Sequence, residues 1–144
     1  MHKTKIVTSF IKNSNKILLL KRSEKVKTMK NLWAGISGII EGKEDPVSRA
    51  EIEIFEEIGM SKSNIKLLKQ GDVIIIESPQ YTNHQWEVYP FLFASENREI
   101  KLNWENSDLR LIDVKELNNF LTVPSLDKVL ARLSSNKLRL LVNN

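Results

Sequence analysis

The chain has 144 residues, 41% of them apolar and 28% charged, and contains no cysteine. That length suits one domain able to bury its own core, so residues 1–144 are read as a single domain. The lack of cysteine excludes disulfides, thiolate nucleophiles and cysteine-held zinc or iron–sulfur centres, so any metal must be bound by oxygen or imidazole. The formal charge of +4 is unevenly spread: the first 30 residues hold nine Lys or Arg against Glu24 alone, leaving 13 basic and 17 acidic residues for the remainder. A basic segment near an acidic one suits a polyanion held through bridging cations, such as a phosphorylated small molecule or RNA; a lysine-rich solvated surface is equally compatible.

The N-terminal MHKTKIVTSF alternates polar and apolar residues and lacks the continuous apolar stretch of a signal peptide. The longest apolar runs, ILLL and VIII, fall far short of the roughly 18 residues that suggest a membrane span. A cytoplasmic protein is expected. KIVTSFIKNSNKILLLKRS reads as a hairpin turning at Asn13–Asn15, where a turn-forming Asn-Ser-Asn separates two β-branched and aliphatic runs. KVKTMKN reads as a polar loop, and LWAGISGII as a strand running into a glycine-bearing loop.

From Asp45 the signals turn helical. Asp45 suits the N-cap, Pro46 the first helical position and Gly59 the residue just past the end, giving a helix of about three and a half turns. Strands are expected in IKLLKQGDVIIIES and QWEVYPFLFAS, with a short one at REIKLN. Asp113 and Glu116 form a D-x-x-E capping box for VKELNNFL, and Pro124 opens a last helix with Leu126, Val129, Leu130 and Leu133 on one face. Irregular alternation of strands and helices without repeats predicts an α/β fold of the α+β type, a mixed sheet sandwiched by helices.

GIIEGKEDPVSRAEIEIFEEIGM, Gly38 to Met60, carries six glutamates: Glu41, Glu44, Glu51, Glu53, Glu56 and Glu57. At about 100° per residue Glu53, Glu56 and Glu57 share one stripe, while Val47, Ala50, Ile54 and Ile58 form another that would pack on the sheet and hold the helix rigid. Like charges at these spacings cost an isolated helix a few tenths of a kcal/mol per pair, roughly. No lysine lies within the helix to offset them. A hard divalent cation taking oxygen ligands would compensate; a solvated acidic face is the alternative.

Gly38, Glu44, Glu53, Glu56, Glu57 and Gly59, with apolar Ile54 and Met60, resemble the Nudix box, GX5EX7REUXEEXGU, at every position except Ile52, where the family has Arg. LLLKRS ahead of the box and LNWENSDLRLIDVKELNNF after it also resemble the family, so the likeness spans nearly the whole chain. It implies a Nudix α/β/α sandwich, and Mg²⁺- or Mn²⁺-dependent hydrolysis of a nucleoside diphosphate linked to another moiety. By the same resemblance Glu56 and Glu57 are metal ligands joined by the carbonyl of Gly38, Glu53 is ligand or general base, and Glu44 supports the loop and in some members a metal. Glu105 matches the late-loop glutamate that serves other members as base; Glu53 is the favoured candidate of the two. In the family the Arg absent at Ile52 orients the box carboxylates. Arg49, four residues before Glu53 and seven before Glu56, is positioned to take over that role.

Lys21 and Arg22 leave the strand ahead of the box, where members hold substrate phosphate, though an ordinary exposed strand end reads the same way; Lys30 is a weaker version. Trp33 and Trp104 flank the loops expected to border the site and are candidates to stack a base, against a core role. Trp86, Tyr89, Phe91 and Phe93 read as packing, and His2 and His84, the only histidines, as too scattered to bind metal. Two other readings accompany the hydrolase: a nucleotide-binding or regulatory module of the same fold, and processing of RNA 5′ ends suggested by the N-terminal lysines. Family members often dimerise, so a homodimer is among the expectations.

Overall fold

A computed structural model describes residues 2–77 and 82–134. Strands β1 (His2–Asn13) and β2 (Lys16–Arg22) form the expected hairpin around Ser14, which takes the left-handed conformation with φ 55°. Their shared ladder is brief, pairing only Lys12 with Ile17 and Asn13 with Lys16. Beyond it β1 pairs antiparallel with β4 (Ile36–Ile39) and, along nearly its whole length, parallel with β7 (His84–Ala94). The sheet continues from β2 to β3 (Trp33–Ala34) and β8 (Asn106–Ile112), and from β7 to β5 (Lys66–Gln70) and β6 (Ile74–Ile76).

Both faces of this mixed sheet are covered, which explains why β2 is a continuous apolar run rather than an alternating one. Leu18 and Leu20 join Val7, Ile11, Ile36, Phe91 and Phe93 on one face, packed against Ala50, Ile54 and Ile58 of α1 (Pro46–Ile58). Ile17 and Leu19 join Phe10, Val88 and Leu92 on the other, against Leu126, Val129 and Leu130 of α2 (Leu126–Ala131) and Leu133 just beyond it. The arrangement is the expected α/β/α sandwich. Helix α1 has the expected ends: Pro46 at its start, Asp45 as N-cap, and Gly59 in the left-handed conformation, φ 76°.

Three segments depart from the sequence reading. REIKLN is not a strand; the N–H groups of Lys101 and Asn103 instead reach the carbonyls of Ile58 and Glu57, at 3.0 and 3.3 Å, and so cap the exposed end of α1. Asn106–Ile112, to which the sequence reading assigned no element, is a strand because β2 offers it a full antiparallel partner, Leu18 opposite Leu111 and Leu20 opposite Leu109. IKLLKQGDVIIIES divides at Gly71, where a Cβ would meet the carbonyl oxygen of Arg132 at 2.8 Å, so the end of α2 presses directly on the break. The VKELNNFL helix is 3₁₀ over Val114–Asn119, with Glu116 Oε1 accepting from the Asp113 N–H at 3.0 Å as the capping box requires. Among the described residues no helix is long and apolar enough to cross a membrane.

Candidate active site

Helix α1 lies on the sheet through its apolar stripe, and that anchoring turns Glu53 and Glu57, one helical turn apart, inward as well. Both are buried, Glu57 to 4% exposure. Glu105 approaches from the loop ahead of β8, and carboxylate oxygens of Glu53, Glu57 and Glu105 all lie within 4.8 Å of one another. The Glu105 loop is tied to the end of β2: the Ser23 N–H donates to the Glu105 carbonyl at 2.8 Å and the Ser23 hydroxyl to the Trp104 carbonyl at 2.7 Å. Asn103 Nδ2 holds Glu105 Oε1 at 3.1 Å.

Glu53 and Glu57, buried beside other carboxylates, resist ionisation. Burial, reinforced by the neighbouring Glu105, pushes the Glu57 carboxyl up to about 9. Burial also raises Glu53, against the opposing effect of its bond from Arg49. Glu57 Oε1 accepts from Asn106 Nδ2 at 3.1 Å, but Oε2 is buried without a hydrogen-bond partner. An orphaned carboxylate oxygen inside an all-oxygen cluster is the donor set a hard divalent cation takes, so these residues fit Mg²⁺ or Mn²⁺.

Gly38 explains how the cluster is packed. A Cβ there would stand 2.6 Å from Glu53 Oε2 and closer still to Cδ and Cγ, so the Glu53 side chain crosses directly over this residue. Only glycine leaves that room.

Arg49 is the organising cation. Its Nε and Nη2 grip both oxygens of Glu44 at 3.1 and 2.6 Å, and Nη1 donates to Glu53 Oε2 at 2.9 Å. The guanidinium holds the Glu44 carboxyl below its ordinary range, and the two carboxylates hold Arg49 more firmly protonated. Glu44 Oε1 also accepts the Glu41 N–H at 2.7 Å, which closes the loop ahead of α1. The partners expected for Arg49 were Glu53 and Glu56; the structure pairs it with Glu53 and Glu44. Glu56 is exposed and outside the carboxylate trio, and Glu44 is occupied by Arg49. Ile52 faces solvent at 41% exposure.

The cluster opens into a cleft of about 680 Å³. Its charged end is formed by Glu41, Arg49, Glu53, Glu105 and Arg22, whose Nε and Nη2 bond the Thr28 carbonyl at 3.2 and 3.0 Å. Its other end is formed chiefly by Ile6, Ile76, Trp86, Val123 and Pro124. Lys21 and Lys30 are not among the lining residues. Neither is Trp33, which packs edge-on against Phe120 with centroids 5.2 Å apart, nor Trp104, which is 60% exposed. The aromatic wall comes instead from Trp86 and His84, which the sequence reading had left to packing and to no role. Their one signal is that residues 84, 86 and 88 share a face, but which face meets the cleft depends on the parallel pairing with β1.

A mixed sheet between two helices, with buried carboxylates carried by one helix beside a cleft, defines a hydrolase fold of the Nudix type. The model of the NUDIX domain family matches residues 2–133, and the chain belongs to the Nudix family of hydrolases. Solved structures share the fold: a MutT protein from Methanosarcina mazei (20% identity, 87% of each chain covered, TM-score 0.69) and an Ap4A hydrolase from C. elegans in a binary complex (16%, covering 92% of this chain and 94% of that one, 0.69). A MutT Nudix hydrolase from Burkholderia pseudomallei is similar at 20% identity, over 93% of this chain and all of the other, with a TM-score of 0.69. No curated protein sequence matches the chain significantly.

Proposed function

We propose that this chain hydrolyses the diphosphate linkage of a nucleoside diphosphate joined to another moiety, with Mg²⁺ or Mn²⁺ held by Glu53, Glu57 and Glu105. The observation that carries the reading is the buried trio of carboxylates within 4.8 Å, one oxygen of it orphaned, opening on a cleft large enough for a nucleotide. Fold neighbours that include an Ap4A hydrolase, an ADP ribose pyrophosphatase within a bifunctional protein and a UDP-X diphosphatase support the substrate class.

When bound, the cation supplies charge neutralisation at the diphosphate and makes nearby water more acidic. The remaining chemistry belongs to the protein. Water forms a new P–O bond as the bridging P–O bond breaks, and the water proton passes to a carboxylate. Arg49 occupies Glu53 Oε2 and fixes its orientation, so Glu53 accepts through Oε1; Glu105 Oε2, which makes no hydrogen bond among the described residues, is the other candidate acceptor. Arg22, at the charged end, is suited to hold a phosphate oxygen. Arg49 takes the orienting role that the family Arg, absent at Ile52, would otherwise fill.

Chromatographic product analysis of a panel of nucleoside triphosphates, dinucleotide polyphosphates, ADP-ribose and NADH, with each cation, tests the proposal. Turnover that needs the cation and falls at least a hundredfold in Glu57→Gln is expected. A panel without turnover at any cation concentration refutes the reading and favours a nucleotide-binding module. Glu53→Gln and Glu105→Gln, compared across pH, identify the base as the variant that loses the acidic limb of the profile.

A further inference from the structure

Each carboxylate of the trio has one oxygen already engaged by a donor of the protein. Arg49 Nη1 donates to Glu53 Oε2 at 2.9 Å, Asn106 Nδ2 to Glu57 Oε1 at 3.1 Å and Asn103 Nδ2 to Glu105 Oε1 at 3.1 Å. The other oxygens, Glu53 Oε1, Glu57 Oε2 and Glu105 Oε2, accept no hydrogen bond among the described residues, and that of Glu57 is buried. Two of the three donors are neutral amides, and the charge of Arg49 is offset by its ion pair with Glu44, so these bonds orient the carboxylates without cancelling their attraction for a cation.

The two amides are fixed by the fold. Asn106 opens β8, is 7% exposed and stands opposite Arg22 of β2. Its N–H donates to the Asn103 carbonyl at 3.4 Å, and Asn103 is tied in turn through its own N–H to the Glu57 carbonyl and through Oδ1 to the Glu105 N–H at 3.0 Å. The segment Asn103–Asn106 therefore carries one carboxylate of the trio and the amides that steer two of them. Turning both oxygens of Glu57 toward one ion would orphan the buried Asn106 amide.

An ion that chelates a carboxylate needs both of its oxygens. Ca²⁺ takes about six to eight oxygens in flexible geometry, often two from one carboxylate, whereas Mg²⁺ demands a near-ideal octahedron and keeps several positions for water and phosphate. Mn²⁺ likewise suits octahedral oxygen sites. The trio offers at most one free oxygen per carboxylate, which suits the octahedral ions and leaves Ca²⁺ short of ligands.

We propose that Asn103 and Asn106 are positioning residues that, with Arg49, restrict each carboxylate of the trio to a single ligand oxygen and thereby set a preference for Mg²⁺ and Mn²⁺ over Ca²⁺. The inference deepens the hydrolase reading and rests on the trio as its cation site.

The test is calorimetric titration of the full chain, without nucleotide, by Mg²⁺, Mn²⁺ and Ca²⁺ separately. The wild type is expected to bind Mg²⁺ and Mn²⁺ at least as tightly as Ca²⁺. Asn106→Leu, which removes the donor at similar volume, should weaken Mg²⁺ and Mn²⁺ by about 10- to 100-fold, the usual effect of losing a partner behind a metal ligand. Ca²⁺ should stay within about threefold, because the freed Glu57 oxygen compensates an ion able to chelate, so the preference moves toward Ca²⁺ by about tenfold or more. Asn103→Ser, which keeps an oxygen for the Glu105 N–H and loses the amide donor to its side chain, should move it the same way and decides the matter if Asn106→Leu does not fold. A wild type that prefers Ca²⁺ overturns the proposal. So does an equal loss for all three cations in the variants, the signature of a merely structural role. Binding of none of the cations overturns this proposal and the metal-dependent hydrolase reading together. A shifted preference in a chain that turns over no substrate sinks the hydrolase reading alone, and turnover with an unshifted preference sinks this inference alone.

Discussion

Gly38→Ala separates site geometry from stability. The new methyl would lie 2.6 Å from Glu53 Oε2, where ordinary contact begins at 3.4 Å, and the nearest atoms, Cδ and Cγ, demand more room still. Gly38 is not in the left-handed region, so the substitution adds no backbone strain. The whole conflict falls on one side chain, and Glu53 relieves it by swinging about 1 Å, which dismantles its 2.9 Å bond from Arg49 and its place in the trio. The stability cost should sit at the low end of overpacking, about 1 kcal/mol, a few degrees in Tm. A displacement near 1 Å at the reacting centre is worth about 10²-fold in kcat/KM. Gly42→Ala is the control: Gly42 has φ 57° and open space around its Cβ position, so alanine there should cost about 1 kcal/mol through the backbone and leave turnover intact. Calorimetric unfolding beside steady-state kinetics for both variants tells the two apart. If folded Gly38→Ala keeps kcat/KM within about threefold of wild type, Glu53 is not held where the packing puts it, and the site described above is wrong.

Arg49→Ala should lower cation affinity and kcat/KM by about 10- to 100-fold, as loss of an orienting partner typically does; unchanged values in both would remove Arg49 from the site. The metal-free protein should lose stability as pH rises. Folded Glu57 keeps its proton up to about 9, whereas the unfolded chain releases it near the ordinary value of 4.5, so between these limits the folded state binds more protons and each step upward favours unfolding. Melting curves from pH 5 to 9 should therefore fall, more gently in Glu57→Gln, and a flat or rising wild-type curve would contradict the buried-carboxylate geometry. Saturating Mg²⁺ or Mn²⁺ should raise Tm, more at pH 8 than at pH 6 because the cation competes with that proton, with about 2.7 kcal/mol expected at a hundredfold excess over Kd. No thermal shift with either cation at pH 8 would count against the metal site.

Much of this was legible along the chain because it depends on neighbours in sequence. Helix α1 is bounded by Pro46 and Gly59 for local reasons, a preset φ and a left-handed cap, and its apolar stripe follows from helical period alone. The box spacing that marks the family is likewise a property of one continuous segment. Tertiary structure decided what depends on contact between distant segments. It brought Glu105 beside Glu53 and Glu57, because the loop ahead of β8 is tied to Ser23 and to the end of α1, while Glu56 is exposed. It gave Arg49 the partner Glu44 rather than Glu56, since the closed loop ahead of α1 carries Glu44 back onto the guanidinium. It also moved the aromatic wall from Trp33 and Trp104 to Trp86 and His84. A strand's alternation says which residues share a face, and only its pairing with other strands says what that face meets.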